Sequence, residues 1–226
     1  MLFRVGILLW CVRDKFIRLN LFLFIMRLEI PFYKQTNPLN CGPTALRMVL
    51  AYFGKDEEVE VLEARTGIKE GKGISTIQIA TAAASSGYRA DFYSKHILFN
   101  EENLKHEFYQ KYSDMDLEQS KKWVEDAKKA GVNVQERTLS LKELLEFVTK
   151  DSVPIILLDW NIVKERKEKG YQGHFVPIVG YDEQNVYIHN HGLNDTQESM
   201  SVPRKTLDEA RKAEGTDEDI VIVYRK

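Results

Sequence analysis

The period of apolar positions changes along this chain, and the changes mark its elements. After the polar turn Asn37-Pro38-Leu39-Asn40, apolar residues crowd together at Ala45, Leu46, Met48, Val49, Leu50, Tyr52 and Phe53, and Gly54 follows. That pattern predicts a buried helix over 43–53. Residues 57–66 read as a short helix stopped by Gly67, and Ser75 or Thr76 caps an alanine-rich helix that ends at Gly87. Between 98 and 132 the pattern thins. Leu104, Phe108, Leu117, Trp123, Val124 and Ala127 keep helical spacing in a highly charged background, which predicts two surface helices: a solvated insertion or a lid over a cleft. Ser140 and Glu143 have the spacing of a capping box and open a helix to about Thr149.

Strand patterns dominate the C-terminal half of the chain. Val153–Leu158 is a continuous apolar run, the signature of a buried central strand. Gly173-His-Phe-Val-Pro-Ile-Val-Gly180 and Val186–Asn190 flank a turn at 181–185 and read as a hairpin. Shorter candidates lie at 28–34, where Pro31 demands an edge position, at Tyr88–Tyr93 and at Val132–Arg137. A polar loop over Asn161–Tyr171, a helix over Thr206–Ala213 and a strand over Asp219–Tyr224 complete the pattern. Helices early, strands late and few crossover helices predict an α+β fold, with N-terminal helices packed on an antiparallel sheet.

Residues 1–26 stand apart from the domain expected over 27–226. Two apolar runs are broken by Arg13-Asp14-Lys15, and neither reaches the roughly 18 residues needed to span a bilayer. Arg27-Leu28-Glu29 offers no signal-peptidase site. The segment is expected to be either an upstream extension before a start at Met26 or a weak membrane contact, such as a cationic surface helix. The expected location is the cytoplasm, with membrane association through residues 1–25 as the alternative.

The net charge of −2 carries no nucleic-acid footprint. Two cysteines, Cys11 and Cys41, make no disulfide framework and no CxxC pair. No cofactor or metal is expected. Cys41 sits where the polar turn becomes the apolar helix, at the positive end of its dipole, where a thiolate is favoured. A lone cysteine there is most often structural, so its standing rests on a partner base. His174 opens a strand after Gly170 and Gly173, and the hairpin returns Asn190 beside it, where an amide can fix the imidazole tautomer. A three-nitrogen metal site from His174, His189 and His191 is the competing use of the same hairpin.

Gln35 six positions before Cys41-Gly-Pro, then Gly-His-Phe-Val-Pro-Ile-Val-Gly-Tyr-Asp, then a strand ending in Asn190 sixteen residues after His174, together resemble the peptidase C39-like family. These are papain-like cysteine peptidase domains, best known from bacteriocin exporters. The resemblance implies Cys41 as nucleophile, His174 as general base, Asn190 as its orienter and Gln35 as an oxyanion-hole donor. Asn190-His191 stands where that family usually has Asp-Pro, which removes a negative charge next to the imidazole. No Gly-x4-Gly-Lys-Ser/Thr loop accompanies the motifs, so the expectation is a stand-alone domain rather than one fused to an ABC exporter. The expected function is a cysteine peptidase acting on a peptide or protein. Acyl transfer from the same nucleophile and a silent peptide-binding domain are the alternatives.

Overall fold

The computed structural model describes the backbone of residues 8–12 and 15–19, and residues 25–166 and 170–226 in full. Within the N-terminal extension, β1 (Leu8–Val12) and β2 (Lys15–Leu19) form an antiparallel pair with Leu8 opposite Leu19, in place of a surface helix. Trp10, Val12, Phe16 and Ile17 are residue types that favour strands.

The domain then runs β3 (Met26–Arg27), α1 (Cys41–Tyr52), α2 (Val59–Thr66), α3 (Thr76–Ser85), β4 (Arg89–Ser94), a 3-10 turn (Glu101–Lys105), α4 (Glu107–Tyr112), α5 (Leu117–Lys129), β5 (Asn133–Glu136) and α6 (Leu141–Glu146). It continues through β6 (Ser152–Asp159), α7 (Trp160–Val163), β7 (Gly173–Tyr181), β8 (Asn185–Asn190), β9 (Gln197–Pro203), α8 (Arg204–Arg211) and β10 (Ile220–Tyr224). The sheet order is β5-β4-β10-β6-β7-β8-β9, with β3 pairing on β7. Every pairing is antiparallel except β4 with β5. This is the α+β fold that the pattern predicts.

Helix ends follow local chemistry. Ser140 and Glu143 form a capping box on α6, Ser75 and Gln78 form another on α3, and Gly67 closes α2 with a left-handed φ of 68°. The central strand β6 is buried at all eight positions, so both of its faces are covered. Helices α1 and α3 pack against β4, β6, β7 and β10, while α8 packs against β6, β8 and β9.

Three expectations need correction, and one strand was not foreseen. The edge strand over 28–34 is an extended run outside the ladder, because Pro31 lacks an N–H and the segment is held at isolated points. Leu28 N–H donates to the Val179 carbonyl at 2.8 Å, and Gln35 N–H donates to the His191 carbonyl at 2.9 Å. Strand β9 carries no apolar alternation, since only Val202 is buried, and so gives no periodic signal. The expected loop at 161–171 begins with the helical turn α7, capped by the Asp159 carboxylate, which accepts from Asn161 N–H. Helix α6 stops at Glu146, where Ser152 Oγ donates to the Phe147 carbonyl and folds the chain into β6. Among the described residues no helix is long and apolar enough to cross a membrane. The side chain of Cys11 lies outside the described residues, and Cys41 is a free thiol.

Candidate active site

Cys41 is the first residue of α1, and a knitted turn presents it. The buried Asn40 amide donates to Thr36 Oγ1 and to Glu63 Oε1, both at 2.8 Å, while its carbonyl oxygen accepts from Asn37 N–H at 3.2 Å. Gly42 packs closely: a Cβ there would stand 2.6 Å from Ile74 Cδ1 and would push that side chain aside. Burial pushes the Cys41 thiol up in pKa, and the backbone N–H groups of Phe175, Gly42 and Cys41 itself offset only part of that. The helix N-terminus is therefore present as expected, but desolvation outweighs it, and the resting group is a thiol.

His174 lies near the start of β7, opposite Leu158 of β6. Two rings hold it. Trp160 meets it edge-on with centroids 4.8 Å apart, and His191 lies tilted against it at 5.0 Å. Burial drives the His174 pKa well below the ordinary histidine value, the neighbouring His191 lowers it further, and the Asn190 side chain raises it. His174 Nε2 is buried without a partner within hydrogen-bond distance. Extending the Ile178–Ile188 register by two residues puts Asn190 opposite Val176, one side-chain repeat from His174 on the same face. The Asn190 amide nitrogen donates to the Asp195 carbonyl, and its oxygen accepts from Gly192 N–H at 3.4 Å.

Gln35, Cys41, His174 and Asn190 all line one cleft of about 790 Å³. The Gln35 amide nitrogen donates to the Asn37 carbonyl at 2.9 Å and keeps a second hydrogen, while its buried oxygen has no partner. The three-histidine metal alternative does not fit this geometry. His189 Nε2 faces the Ile30 carbonyl at 2.9 Å and its Nδ1 accepts from Ser199 N–H at 3.1 Å. His191 Nε2 and Nδ1 face the carbonyls of Cys41 at 2.9 Å and His189 at 3.1 Å. All four nitrogens are thus turned to backbone groups rather than to a shared centre with His174.

The opposite wall comes from the segment expected to be a solvated insertion or a lid, but its residues were not named as part of the site. Phe108, Tyr109 and Tyr112 of α4 line the cleft, where Phe108 and Tyr109 meet Tyr171 and Tyr112 packs on Phe108. Tyr109 stacks on Tyr171 at 5.5 Å and 11°, and Phe108 meets it edge-on at 5.3 Å. Tyr109 Oη donates to the Gly215 carbonyl at 2.5 Å, which ties α4 to the turn before β10. The aromatic spacing of 108, 109 and 112 was the available signal, but nothing local named Tyr171 as its partner. Trp160 also belongs to the site. Its backbone N–H donates to the Gln172 carbonyl at 2.8 Å, and Asp159 Oδ1 accepts from Gln172 N–H at 3.2 Å, so the ends of β6 and β7 are fastened together.

A family model described as guanylylate cyclase matches residues 30–223. The chain belongs to that family. A curated relative, guanylyl cyclase 1 of Arabidopsis thaliana, is 25% identical over 211 residues, covering 87% of this chain and 76% of that one. Solved structures share the fold. A putative C39-like peptidase from Bacillus anthracis superposes with a TM-score of 0.57 at 14% identity, over 90% of this chain and 98% of that one. A double glycine motif protease from an AMS/PCAT transporter, in complex with its leader peptide, gives 0.53 at 17% identity, over 89% and 95%. The family thus carries a C39-like peptidase fold under the description of a cyclase, and residues decide the chemistry where fold does not.

Proposed function

We propose that this protein is a cysteine-dependent hydrolase that cleaves a peptide or amide bond through an acyl-enzyme on Cys41. The observation that carries the reading is the convergence of Cys41, at a helix N-terminus, with His174, Asn190 and Gln35 in one cleft. His174 takes the thiol proton as Sγ attacks the carbonyl carbon. The backbone N–H of Cys41 and the second hydrogen of Gln35 Nε2 receive the oxyanion. The imidazolium returns the proton to the departing amine, and water, deprotonated by the same ring, hydrolyses the thioester. Burial raises the pKa of the Cys41 thiol and lowers that of His174, which favours a general-base pair over a preformed ion pair.

A second reading comes from the family. Its description and the named relative point to ring closure of GTP, and Lys105, Lys111 and Arg166 line the same cleft, where a polyphosphate could meet them. The experiment is one protein in two assays. A covalent thiol probe and a peptide library, together with cyclic GMP formation from GTP, are compared between wild type and Cys41→Ala. Hydrolysis and probe labelling that vanish in Cys41→Ala support the hydrolase. Cyclic GMP formation that survives Cys41→Ala, with no peptide cut by the wild type, overturns it.

A further inference from the structure

His191 touches every part of the proposed machinery without lining the cleft. It is fully buried. Its backbone carbonyl accepts from Gln35 N–H at 2.9 Å, its Nε2 lies 2.9 Å from the Cys41 carbonyl, and its ring packs on His174 at 5.0 Å and 35°. We propose that His191 is a positioning residue, which sets nucleophile, base and oxyanion donor relative to one another through one imidazole and one carbonyl. The inference rests on the hydrolase reading, in which Cys41 and His174 are the reacting pair.

Three observations carry it. First, the expected orienter does not hold His174 alone: the Asn190 side chain favours the charged ring, but its amide nitrogen is turned to Asp195, and His174 Nε2 lacks a partner within hydrogen-bond distance. The ring is also packed between Trp160 and His191. Second, a helix's first carbonyl normally faces along the helix, so a buried side-chain donor to Cys41 O is an added restraint on the residue that bears the thiol. Third, a neutral imidazole has one N–H for two facing carbonyls. On this proposal the proton sits on Nε2, towards the shorter contact with the Cys41 carbonyl, so that Nδ1 faces His189 O at 3.1 Å without a hydrogen. Protonating the second nitrogen would satisfy both carbonyls but would put a cation against His174. Burial prevents it by holding the His191 pKa down at about 4. The groups that face this ring are His174, His189 and the carbonyls of Cys41 and His189. No carboxylate is among the causes of its shift.

Two variants separate ring from hydrogen bond. His191→Phe keeps a ring against His174 and loses the donor, whereas His191→Gln keeps a donor and loses the ring. Each full-length variant is alkylated with iodoacetamide from pH 6 to 10, beside a thermal melt. Both should lower the Cys41 alkylation rate at neutral pH on the order of ten- to a hundredfold while remaining folded. His191→Gln should recover part of the loss. Unchanged rates and pH midpoints in both folded variants overturn the proposal. Should either variant unfold, the wild type decides by nitrogen NMR of its histidine rings. A slowly exchanging Nε2–H on His191, unchanged from pH 5 to 8, is expected, and a ring titrating near the ordinary histidine value overturns the proposal. Neither readout needs a peptide substrate. A failure of the hydrolase reading appears in the peptide assay, and a failure of this inference appears in alkylation and NMR.

Discussion

The two walls of the cleft are built in opposite ways. On one side, α1, β7 and β8 present Cys41, His174 and Asn190 from buried secondary structure, with His191 fully enclosed behind them. On the other side, α4 has no buried residue and hangs from a few contacts: Gly73 N–H to the Tyr112 carbonyl at 2.9 Å, Lys72 Nζ to the Lys111 carbonyl at 3.4 Å, and Tyr109 Oη to Gly215. The first wall is held by the sheet, so its polar atoms can keep a fixed geometry. The second is held by aromatic rings, half-buried on α4 and packed on the buried Tyr171. Chemistry is expected on the rigid wall and substrate preference on the loose one.

Breaking the rigid wall has the largest effect. His174→Ala should reduce hydrolysis and probe labelling of Cys41 by roughly 10²–10⁴, the range for removing a general base. A labelling rate at pH 7 equal to wild type would remove His174 from the reaction. Asn190→Asp sharpens the same wall from the other direction. A carboxylate beside the ring favours the imidazolium, so the His174 pKa should rise and Cys41 alkylation at pH 7 should quicken several-fold. A slower rate would show that Asn190 acts through the Asp195 turn and not through the imidazole.

Phe108→Ala tests the loose wall. It removes a ring that packs on Tyr112 at 5.2 Å and on Tyr171 at 5.3 Å. The expected result is a KM raised by about tenfold with kcat nearly unchanged, since the lost contact is made equally in ground and transition states. An equal fall in kcat would place α4 in the chemical step. Hydrogen exchange at α4 amides should also run faster than at α1 amides, which lie in the core.

How legible these walls were in the sequence follows the same division. The rigid wall rests on strong local signals: a polar turn before an apolar helix, a continuous strand at β6, and a hairpin that returns Asn190 towards His174. The fold class and most element positions could be read from them. What stayed hidden depends on long-range contact. Tyr171 meets α4 across about sixty residues of chain, from Phe108 to Tyr171. His191 looked like the start of a loop, and its bond to Cys41 spans 150 residues. The thiolate expected at the helix start gives way to a thiol for the same reason, because desolvation depends on everything packed around a site while a dipole can be read from the helix alone.

The smallest effect concerns stability, and it divides the molecule by the sign of its pH dependence. His174, His189 and His191 all have folded pKa values below the unfolded value of about 6.5, so protonation favours the unfolded chain. Their contribution is complete above pH 6.5 and is lost as pH falls, down to about 4 for His191. Asp219 behaves in the reverse sense. It lies in a small cavity behind α4 that Asp217, Tyr109 and Tyr112 also line, and burial raises its pKa from 3.8 to about 7. Its contribution is therefore complete below the unfolded value and is lost as pH rises through 7. Three histidines oppose one aspartate between pH 4 and 6.5, so the melting temperature should fall across that interval on acidification. Asp219→Asn isolates the minority: it removes a buried charge that exists only at the alkaline end. It should raise the melting temperature more at pH 8 than at pH 5, and an equal shift at both would mean that Asp219 is not the group titrating behind the loose wall.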